Sequence, residues 1–290
     1  MASLAVIGVG RIGGEVAFLA ASLGLVDNLV LYDTVPTLLK AQILDLRHTG
    51  LDIAISTEPN DIREADICVF TAGLPRDPSV KTRADLLESN LKVVRDCTSL
   101  LSRFSGILVT VTNPMDINNY YLCRKSGMER ERCIGFGGQL DSARFSLALR
   151  TRGITGSATV LGEHGEHQVP LFSSLDTSVG ESRREEILAG LRTASMEVIQ
   201  GKGGTVFGPA HHLAHLVRTI ADDSRELLPC SAVLEGEYGF HGCSLGVPSR
   251  IGRNGILGIE EWRLDPWEQA HMDAAGKFSE ALCRKAVSSL

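Results

Sequence analysis

The sequence has little of what marks a membrane, exported or nucleic-acid-binding protein. No run approaches the roughly 20 apolar residues that a membrane span requires, and the first residues lack a basic leader and a small-residue cleavage site. Acidic residues outnumber basic ones, and the net charge of −6 argues against a nucleic-acid partner. We therefore expect a soluble, cytoplasmic protein with no membrane and no nucleic-acid partner.

The sequence also lacks closely spaced cysteine pairs. The seven cysteines are odd in number, scattered and without a CxxC pair, which suits a reducing compartment better than a disulfide framework or a zinc site. His211 and His215 share a helix face in HHLAH, but no third ligand follows at a recognisable spacing. We expect no metal.

The first half of the chain alternates two kinds of hydrophobic pattern. Nearly continuous apolar runs, typical of buried parallel strands, are separated by stretches whose apolar residues recur every three or four positions. This alternation predicts an α/β fold built on a doubly wound parallel sheet, the Rossmann architecture. The predicted strands cover residues 3–10, 28–33, 65–73 and 106–114.

The pattern changes near residue 140, where a helix begins in GQLDSARFSLALR. We expect a Rossmann domain over residues 1–139 and an α+β domain over residues 140–290. A chain of 290 residues with 43% hydrophobic side chains is long enough for two such cores. In the second domain we predict an amphipathic helix over residues 183–200, antiparallel strands within residues 227–239 and 243–252, and a closing helix from Pro266.

A glycine-rich turn joins the first strand to the first helix, in Gly8-Val9-Gly10-Arg11-Ile12-Gly13. Gly8 permits a tight turn, Gly10 lets a pyrophosphate approach the backbone, and Gly13 allows close helix packing. Asp33 ends the second strand 20 residues after Gly13, where a carboxylate accepts hydrogen bonds from the adenosine ribose and repels a 2′-phosphate. This predicts NAD in preference to NADP. The alternative is a plain glycine turn with a helix-capping aspartate.

Two arginines lie in the loop that follows the third predicted strand. Arg76 and Arg83 occur in TAGLPRDPSVKTRADLL, which starts at the end of the strand where ligands bind in open α/β sheets. Alone, each is more often a solvated surface residue. Beside a predicted cofactor cleft in an acidic protein, their guanidinium groups become candidate carboxylate ligands.

Three further side chains are candidates for acid/base chemistry. Asp141 and Arg144 are three residues apart on one helix face, and the simplest interpretation is a surface ion pair worth about 0.5 kcal/mol or less. His164 follows the apolar run SATVL in a turn flanked by glycines. An imidazole exchanges protons near neutral pH if a carboxylate fixes its tautomer. His164 is therefore the candidate catalyst, and His167 is a loop residue without an assigned role.

Together these segments resemble the lactate/malate dehydrogenase family over nearly the whole chain. The segments GVGRIG, Asp33, TAGLPR, VTNPMD, GGQLDSAR, GEHG, FGPA, EGEYG and GVP occur in the family's order and roughly its spacing. The resemblance implies that His164 is the general acid/base, that Asp141 orients it and that Arg144 binds the C1 carboxylate of the substrate. It also implies that Arg83 polarises the reacting carbonyl, that Asn113 bonds the substrate beside the nicotinamide, and that the protein is a homodimer or homotetramer. The candidate cofactor contacts are Gly8, Gly10, Arg11, Ile12, Gly13, Asp33, Thr71, Ala72, Gly73, Asn90, Val111 and Asn113.

Substrate choice depends on residue 76. In the family that the sequence resembles, the position after Gly-Leu-Pro is commonly Arg in malate enzymes and Gln in lactate enzymes. Oxaloacetate carries a second carboxylate, whose burial without a partner costs several kcal/mol. Arg76 supplies that partner, so we expect a small dicarboxylate, malate/oxaloacetate, as the substrate.

The loop between the two arginines departs from the family's pattern. Arg76 and Arg83 are seven positions apart, whereas the malate-type pattern RKPGMTR separates its arginines by six. The extra residue bears on where Arg83 is placed. Asp77 stands where Lys is common, which lowers the positive charge of the loop.

Three alternatives stay open. The first is a lactate or broad-range 2-hydroxyacid dehydrogenase. The second is an NAD- and metal-dependent glycosidase, which requires a Cys/His metal site that we do not find in the sequence. The third is a non-catalytic NAD-binding sensor or scaffold, and the set of His164, Asp141 and Arg144 speaks against it.

We predict that Arg76→Gln lowers kcat/KM for oxaloacetate at least about tenfold more than kcat/KM for pyruvate, because only oxaloacetate loses a charge partner. Steady-state oxidation of NADH with each 2-oxo acid measures both values. An unchanged ratio between the two efficiencies would contradict the role given to this arginine.

Overall fold

The structure is a computed structural model that describes residues 2–74 and 86–288. Its strands are β1 (Ala2–Ile7), β2 (Val26–Tyr32), β3 (Ala54–Ser56), β4 (Ile67–Phe70), β5 (Ile107–Thr110), β6 (Cys133–Gly135), β7 (Val160–Gly162), β8 (Gln168–Pro170), β9 (Glu226–Glu235), β10 (His241–Gly252) and β11 (Gly255–Ile259). Its helices are α1 (Arg11–Ser22), α2 (Pro36–His48), α3 (Leu87–Cys97), α4 (Met115–Ser126), α5 (Gly138–Arg150), α6 (Glu181–Lys202), α7 (Phe207–Ala221) and α8 (Pro266–Ser288).

One mixed sheet runs through the described part of the chain. Its first half has the order β3-β2-β1-β4-β5-β6, and every neighbouring pair in it is parallel. This is the 3-2-1-4-5-6 order of a doubly wound dinucleotide-binding sheet. Strands β4 and β5 are buried along their whole length, as the continuous apolar runs predicted. The Rossmann prediction is confirmed.

The strand order reverses between β1 and β4, which are neighbours in the sheet. From β1 the chain first moves outward to β2 and β3, and later to the other side through β5 and β6. The chain therefore continues in opposite directions along the sheet from these two neighbouring strands, which opens a crevice at their carboxyl ends. Ligands of open α/β sheets bind at such a point.

The second half of the sheet is antiparallel and continues the first. Strand β6 pairs with β9 at Ile134↔Ala232 and Gly135↔Ser231, and β9 forms a long hairpin with β10. Strands β10, β7 and β8 follow in order, and β11 pairs with β10. The predicted antiparallel strands correspond to β9 and β10, the amphipathic helix to α6, and the closing helix to α8, which begins at Pro266 as predicted.

Some elements differ from the sequence-based expectation. The strands predicted over 65–73 and 106–114 end earlier, at Phe70 and Thr110, because the following residues bend into loops. Helix α4 was not predicted, since its interior carries the buried asparagines Asn118 and Asn119 instead of an apolar stripe. Their amide nitrogens donate to Thr112 O at 2.8 Å and to Ser244 Oγ at 2.9 Å, and these bonds satisfy the donor side of the two buried amides.

All seven cysteines lie in the described part of the chain, and each is a buried free thiol. Within the same residues, no helix is both long and apolar enough to cross a membrane.

Candidate active site

The loop after β1 packs closely against the loop after β4. Gly8 has φ +93°, and a Cβ on it would lie 2.5 Å from the backbone nitrogen of Ala72. The Thr71 hydroxyl donates to Gly8 O at 2.6 Å. A Cβ on Gly13 would overlap the carbonyl oxygen of Gly8. Both positions therefore require glycine, one for its left-handed backbone and both for the close approach of other backbone.

Gly10 has a different environment. Among the described residues, no heavy atom beyond its chain neighbours lies within 4 Å of the position that its Cβ would take. The first turn of α1 is open on this side, and the backbone N–H groups of a helix N-terminus bind anions. Ile12 is half-buried in that turn, while Arg11 is exposed and donates from Nη1 to Lys202 O at 3.4 Å. The turn thus has room for a diphosphate.

Asp33 follows β2 directly and lies beside the glycine loop. Its Oδ2 accepts the N–H of Val9 at 2.9 Å, and its Oδ1 accepts the N–H of Val35 at 2.9 Å. Each carboxylate oxygen has more than one lone pair, so these bonds fix the carboxylate without exhausting its capacity as an acceptor. The position suits the hydroxyls of a ribose.

The residues after β4 and β5 are held together as the opposite wall of the crevice. Thr112 Oγ1 donates to Ala72 O at 2.7 Å, and the N–H of Val111 donates to Phe70 O at 2.9 Å. A Cβ on Gly73 would lie 2.5 Å from the Thr112 methyl carbon. The wall is therefore tightly packed and depends on a residue without a side chain at position 73.

Asn90 and Asn113 complete this wall. Asn90 Oδ1 accepts the N–H of Leu74 at 2.6 Å, and its Nδ2 donates to Asn113 O at 2.6 Å. Asn90 thus acts on the crevice through the backbone. The peptide between Asn113 and Pro114 is cis, and Asn113 Oδ1 is buried without a hydrogen-bond partner among the described residues. An unpartnered buried amide oxygen at this place is suited to a donor from a bound molecule.

His164 and Asp141 are in direct contact, as predicted. His164 Nδ1 lies 2.6 Å from Asp141 Oδ2, and the two residues are 9% and 2% exposed. An ionised carboxylate only accepts hydrogen bonds, so Nδ1 is the protonated nitrogen and Nε2 is the one that exchanges a proton. The pair fixes both the tautomer and the direction of the imidazole.

Arg144 bonds the other oxygen of the same carboxylate. Its Nη1 donates to Asp141 Oδ1 at 3.0 Å, and the side chains are 15% and 3% exposed, so this is a buried pair and not a solvated surface pair. Arg144, Leu140 and Pro209 line a cavity of about 570 Å³ between α5, α6 and α7. A guanidinium carries five N–H donors, so one arginine can hold Asp141 and also meet a substrate carboxylate.

The turn between β7 and β8 places His164. The N–H of Glu163 donates to His167 O at 3.1 Å, and Glu163 Oε2 accepts the N–H of His167 at 3.0 Å. Gly162 has φ +82°, and a Cβ on Gly165 would overlap the Glu163 carboxylate. The turn thus has a left-handed glycine before the histidine and a glycine packed on the Glu163 carboxylate after it, which agrees with the constrained turn that the sequence predicted.

The other histidines discussed above have ordinary partners. The His167 ring packs on Phe278 with 4.3 Å between centroids, and burial, with the nearby Arg192 charge, lowers the pKa of His167. His215 Nε2 lies 3.2 Å from Glu226 Oε2. Across residues 2–74 and 86–288, no three His, Cys, Asp or Glu side chains are grouped to hold a metal.

Two residues of the site were not predicted. Asp116 Oδ2 accepts the backbone N–H of His164 at 2.8 Å, and a Cβ on Gly137 would lie 2.5 Å from His164 Cγ. Both residues lie inside segments quoted above, VTNPMD and GGQLDSAR, but their contacts join positions far apart in the chain. Arg76 and Arg83 lie outside the described residues, so their contacts stay predictions.

Both halves of the chain match known domain families. Residues 2–135 match the NAD binding domain of lactate/malate dehydrogenase, and residues 138–282 match the alpha/beta C-terminal domain of lactate/malate dehydrogenase. The N-terminal half is therefore an NAD-binding domain, as Gly8, Gly10, Gly13 and Asp33 predicted.

Individual proteins are similar over nearly the whole chain. The malate dehydrogenase of Haloferax volcanii is 36% identical over 96% of this chain and 97% of its own. The crystal structure of Cryptosporidium parvum malate dehydrogenase has a TM-score of 0.91 at 28% identity and covers 99% of both chains. Malate dehydrogenase from Archaeoglobus fulgidus, solved in complex with NADH, has a TM-score of 0.88 at 31% identity and covers 98% of this chain and 99% of its own.

We predict that Gly8→Ala weakens NADH binding at least about tenfold, since the new methyl group would displace the backbone at Ala72 and with it the cofactor loop. Gly24→Ala is the matched control, because Gly24 also has a left-handed φ of +60° but has no described neighbour within 4 Å of a Cβ. Both variants carry a similar backbone cost of roughly 1–2 kcal/mol. Titration of NADH fluorescence should show near-normal affinity for Gly24→Ala; equal affinities in the two variants would contradict the close-approach argument.

Proposed function

The chain belongs to the lactate/malate dehydrogenase family, and we propose that it is an NAD-dependent malate dehydrogenase, which transfers hydride reversibly between NAD(H) and malate/oxaloacetate. One observation carries the proposal: Asp141 holds the His164 imidazole at 2.6 Å and the Arg144 guanidinium at 3.0 Å in a buried position. Reduction of a 2-oxo acid needs a proton donor of fixed orientation beside a cation that binds the acid's carboxylate.

The chain's own residues perform the proton transfer. Bound NADH supplies the hydride for C2 of oxaloacetate. Protonated His164 donates a proton from Nε2 to the carbonyl oxygen, because Nδ1 is held by Asp141. The Asp141 carboxylate stabilises the imidazolium and does not take the proton. In malate oxidation, neutral His164 removes the hydroxyl proton.

Substrate binding in this proposal uses the cations of the site. Arg144 binds the C1 carboxylate, Arg83 polarises the carbonyl, and Arg76 pairs with the second carboxylate. Asn113, whose amide oxygen is buried without a partner among the described residues, hydrogen-bonds the substrate beside the nicotinamide. Pyruvate would leave Arg76 enclosed without an anion, whereas oxaloacetate supplies a second carboxylate as its partner, which favours oxaloacetate over pyruvate.

The residues of the crevice fit NAD. The open space at Gly10 accommodates a diphosphate on the N-terminus of α1, and Asp33 provides a carboxylate for the ribose. A 2′-phosphate beside this carboxylate would be repelled, which favours NAD over NADP. The proposed contacts are those predicted from the sequence: Gly8, Gly10, Arg11, Ile12, Gly13, Asp33, Thr71, Ala72, Gly73, Asn90, Val111 and Asn113.

The organisation of the protein is part of the same proposal. The NAD-binding domain comprises residues 1–139 and the catalytic α+β domain residues 140–290; the start of α5 at Gly138 supports this division. We also propose a homodimer or homotetramer in the cytoplasm. Helix α2 buries only Leu46 and leaves Val35 before it and Leu44 in it about half exposed, which supports a subunit contact there.

We predict that His164→Asn lowers the rate of oxaloacetate reduction by about 100-fold or more, because the side chain moves the proton. The NADH affinity should stay within about twofold of the wild type, because the side chain does not hold the cofactor. The same change at His167, three residues along, is the control and should leave activity within about twofold. NADH oxidation with oxaloacetate, pyruvate and 2-oxoglutarate measures the first effect, and fluorescence titration measures the second.

Two outcomes would count against the proposal. Equal loss of activity and NADH affinity in His164→Asn would indicate misfolding in place of lost catalysis. A wild-type protein that binds NADH but reduces none of the three 2-oxo acids would be a sensor or scaffold and not an enzyme of this class.

A further inference from the structure

A second buried carboxylate touches the catalytic turn but has no part in the proton transfer described above. Asp116 lies in the first turn of α4 and is 1% exposed. Its Oδ2 accepts the backbone N–H of His164 at 2.8 Å, and its Oδ1 accepts the hydroxyl of Ser231 at 2.5 Å. Burial raises the pKa of Asp116, while the bonds from Ser231 and His164 oppose that rise by stabilising the carboxylate.

The Ser231 bond is the last of a directed series. Asn119 Nδ2 donates to Ser244 Oγ at 2.9 Å, and Ser244 Oγ lies 2.8 Å from Ser231 Oγ. An amide nitrogen only donates, and the one proton of Ser231 is used on Asp116. Ser244 must therefore donate to Ser231, so that each bond in the series points toward the Asp116 carboxylate. Bonds aligned in this way polarise one another.

The series crosses the molecule. Asn119 lies on α4, Ser231 on β9 and Ser244 on β10, and all three are at most 1% exposed. In a buried environment these bonds are strong, and a missing partner is costly. The carboxylate is therefore fixed by the antiparallel half of the sheet as well as by its own helix.

Asp116 also connects the crevice wall at Asn113 to the backbone of His164. It is three residues after Asn113, whose amide oxygen is unpartnered in the described structure and whose carbonyl is held by Asn90. The same short segment thus carries the crevice wall at one end and the anchor of the His164 backbone at the other. A shift of this segment would change the distance between the nicotinamide side and the proton donor.

We propose that Asp116 is a positioning residue, which acts through the main-chain N–H of His164 to set the place of the imidazole relative to the crevice wall at Asn113. The inference rests on the proposed function. Asp141 fixes the direction of the imidazole ring. Asp116, supported by Ser231, fixes the position of the His164 backbone from which the ring extends. A misplacement of about 1 Å in a reacting group can cost roughly 100-fold in rate.

The test uses a graded set of variants in the full-length protein. Asp116→Ala removes both acceptors, Asp116→Asn keeps one oxygen for the His164 N–H, and Ser231→Ala removes the hydroxyl that holds the carboxylate. Ser279→Ala is the matched control: Ser279 is also a fully buried serine, whose Oγ donates to the Ser244 carbonyl at 2.8 Å and lies 3.8 Å from Cys283 Sγ, but it does not touch Asp116 or His164.

We expect single-turnover hydride transfer to oxaloacetate to be about 100-fold slower in Asp116→Ala and about tenfold slower in Asp116→Asn and Ser231→Ala. The primary isotope effect on kcat with 4-deuterated NADH should rise in all three variants, because hydride transfer then limits more of the turnover. The oxaloacetate KM and the NADH Kd should stay within about twofold, because the lesion moves the proton donor and not the binding groups. Ser279→Ala should change thermal stability alone.

A second measurement does not depend on activity. Hydrogen exchange of the backbone amides in residues 162–168, followed by mass spectrometry, should be faster in Ser231→Ala and the Asp116 variants than in Ser279→Ala. If Asp116→Ala does not fold, the comparison between Ser231→Ala and Ser279→Ala decides.

The outcomes separate this inference from the proposed function. If the wild type does not reduce oxaloacetate, the proposed function fails, and the exchange data alone judge whether Asp116 holds the turn. If the wild type is active but the serine variants lose rate equally, or the Asp116 variants exchange and react like the wild type, the positioning role is overturned. If the Asp116 variants lose NADH affinity in parallel with the rate of hydride transfer, Asp116 has a general structural role, and the positioning role is again overturned.

Discussion

One buried carboxylate, Asp141, is the centre of the candidate active site. Asp141 is 2% exposed, and its two oxygens bond the His164 imidazole and the Arg144 guanidinium. An ionised carboxylate in such a place would cost several kcal/mol if its partners were absent. The dependence is mutual, since Asp141 fixes the imidazole and the guanidinium, and these two groups in turn stabilise its charge.

The fold supplies this carboxylate through the position at which α5 begins. The helix starts at Gly138, directly after β6, the strand at which the parallel half of the sheet meets the antiparallel half. Asp141 is therefore in the first turn, where a negative charge is favoured by the helix dipole. The turn between β7 and β8 brings His164 against Gly137, the residue just before the first turn of α5. Elements from both halves of the chain thus meet at one buried pair.

Local sequence patterns predicted much of this arrangement. Continuous apolar runs identified β1, β2, β4 and β5, and glycine spacing with Asp33 identified the cofactor loop. Flanking glycines singled out His164, because its turn has the left-handed Gly162 on one side and Gly165 packed on the Glu163 carboxylate on the other. The spacing of Asp141 and Arg144 gave their common helix face, although burial of the pair depends on tertiary packing that the spacing does not contain.

What the sequence did not reveal depends on contacts between distant residues. Asp116 and Ser231 are 115 residues apart, and the hydrogen bond between them leaves no local periodicity. Helix α4 was missed for a similar reason, since its buried asparagines find their partners outside the helix, in the loop after β5 and on β10. Strands β3 and β6 have three residues each, too few to show alternation.

The most direct test of the account is the rate of single-turnover oxaloacetate reduction, together with NADH affinity, in Asp141→Asn. The amide keeps the shape of the side chain but removes the charge that stabilises the imidazolium and pairs with Arg144. We expect a loss of at least about 100-fold in the reduction rate, with the NADH Kd within about twofold of the wild type. A variant that folds, binds NADH and reduces oxaloacetate at the wild-type rate would contradict it.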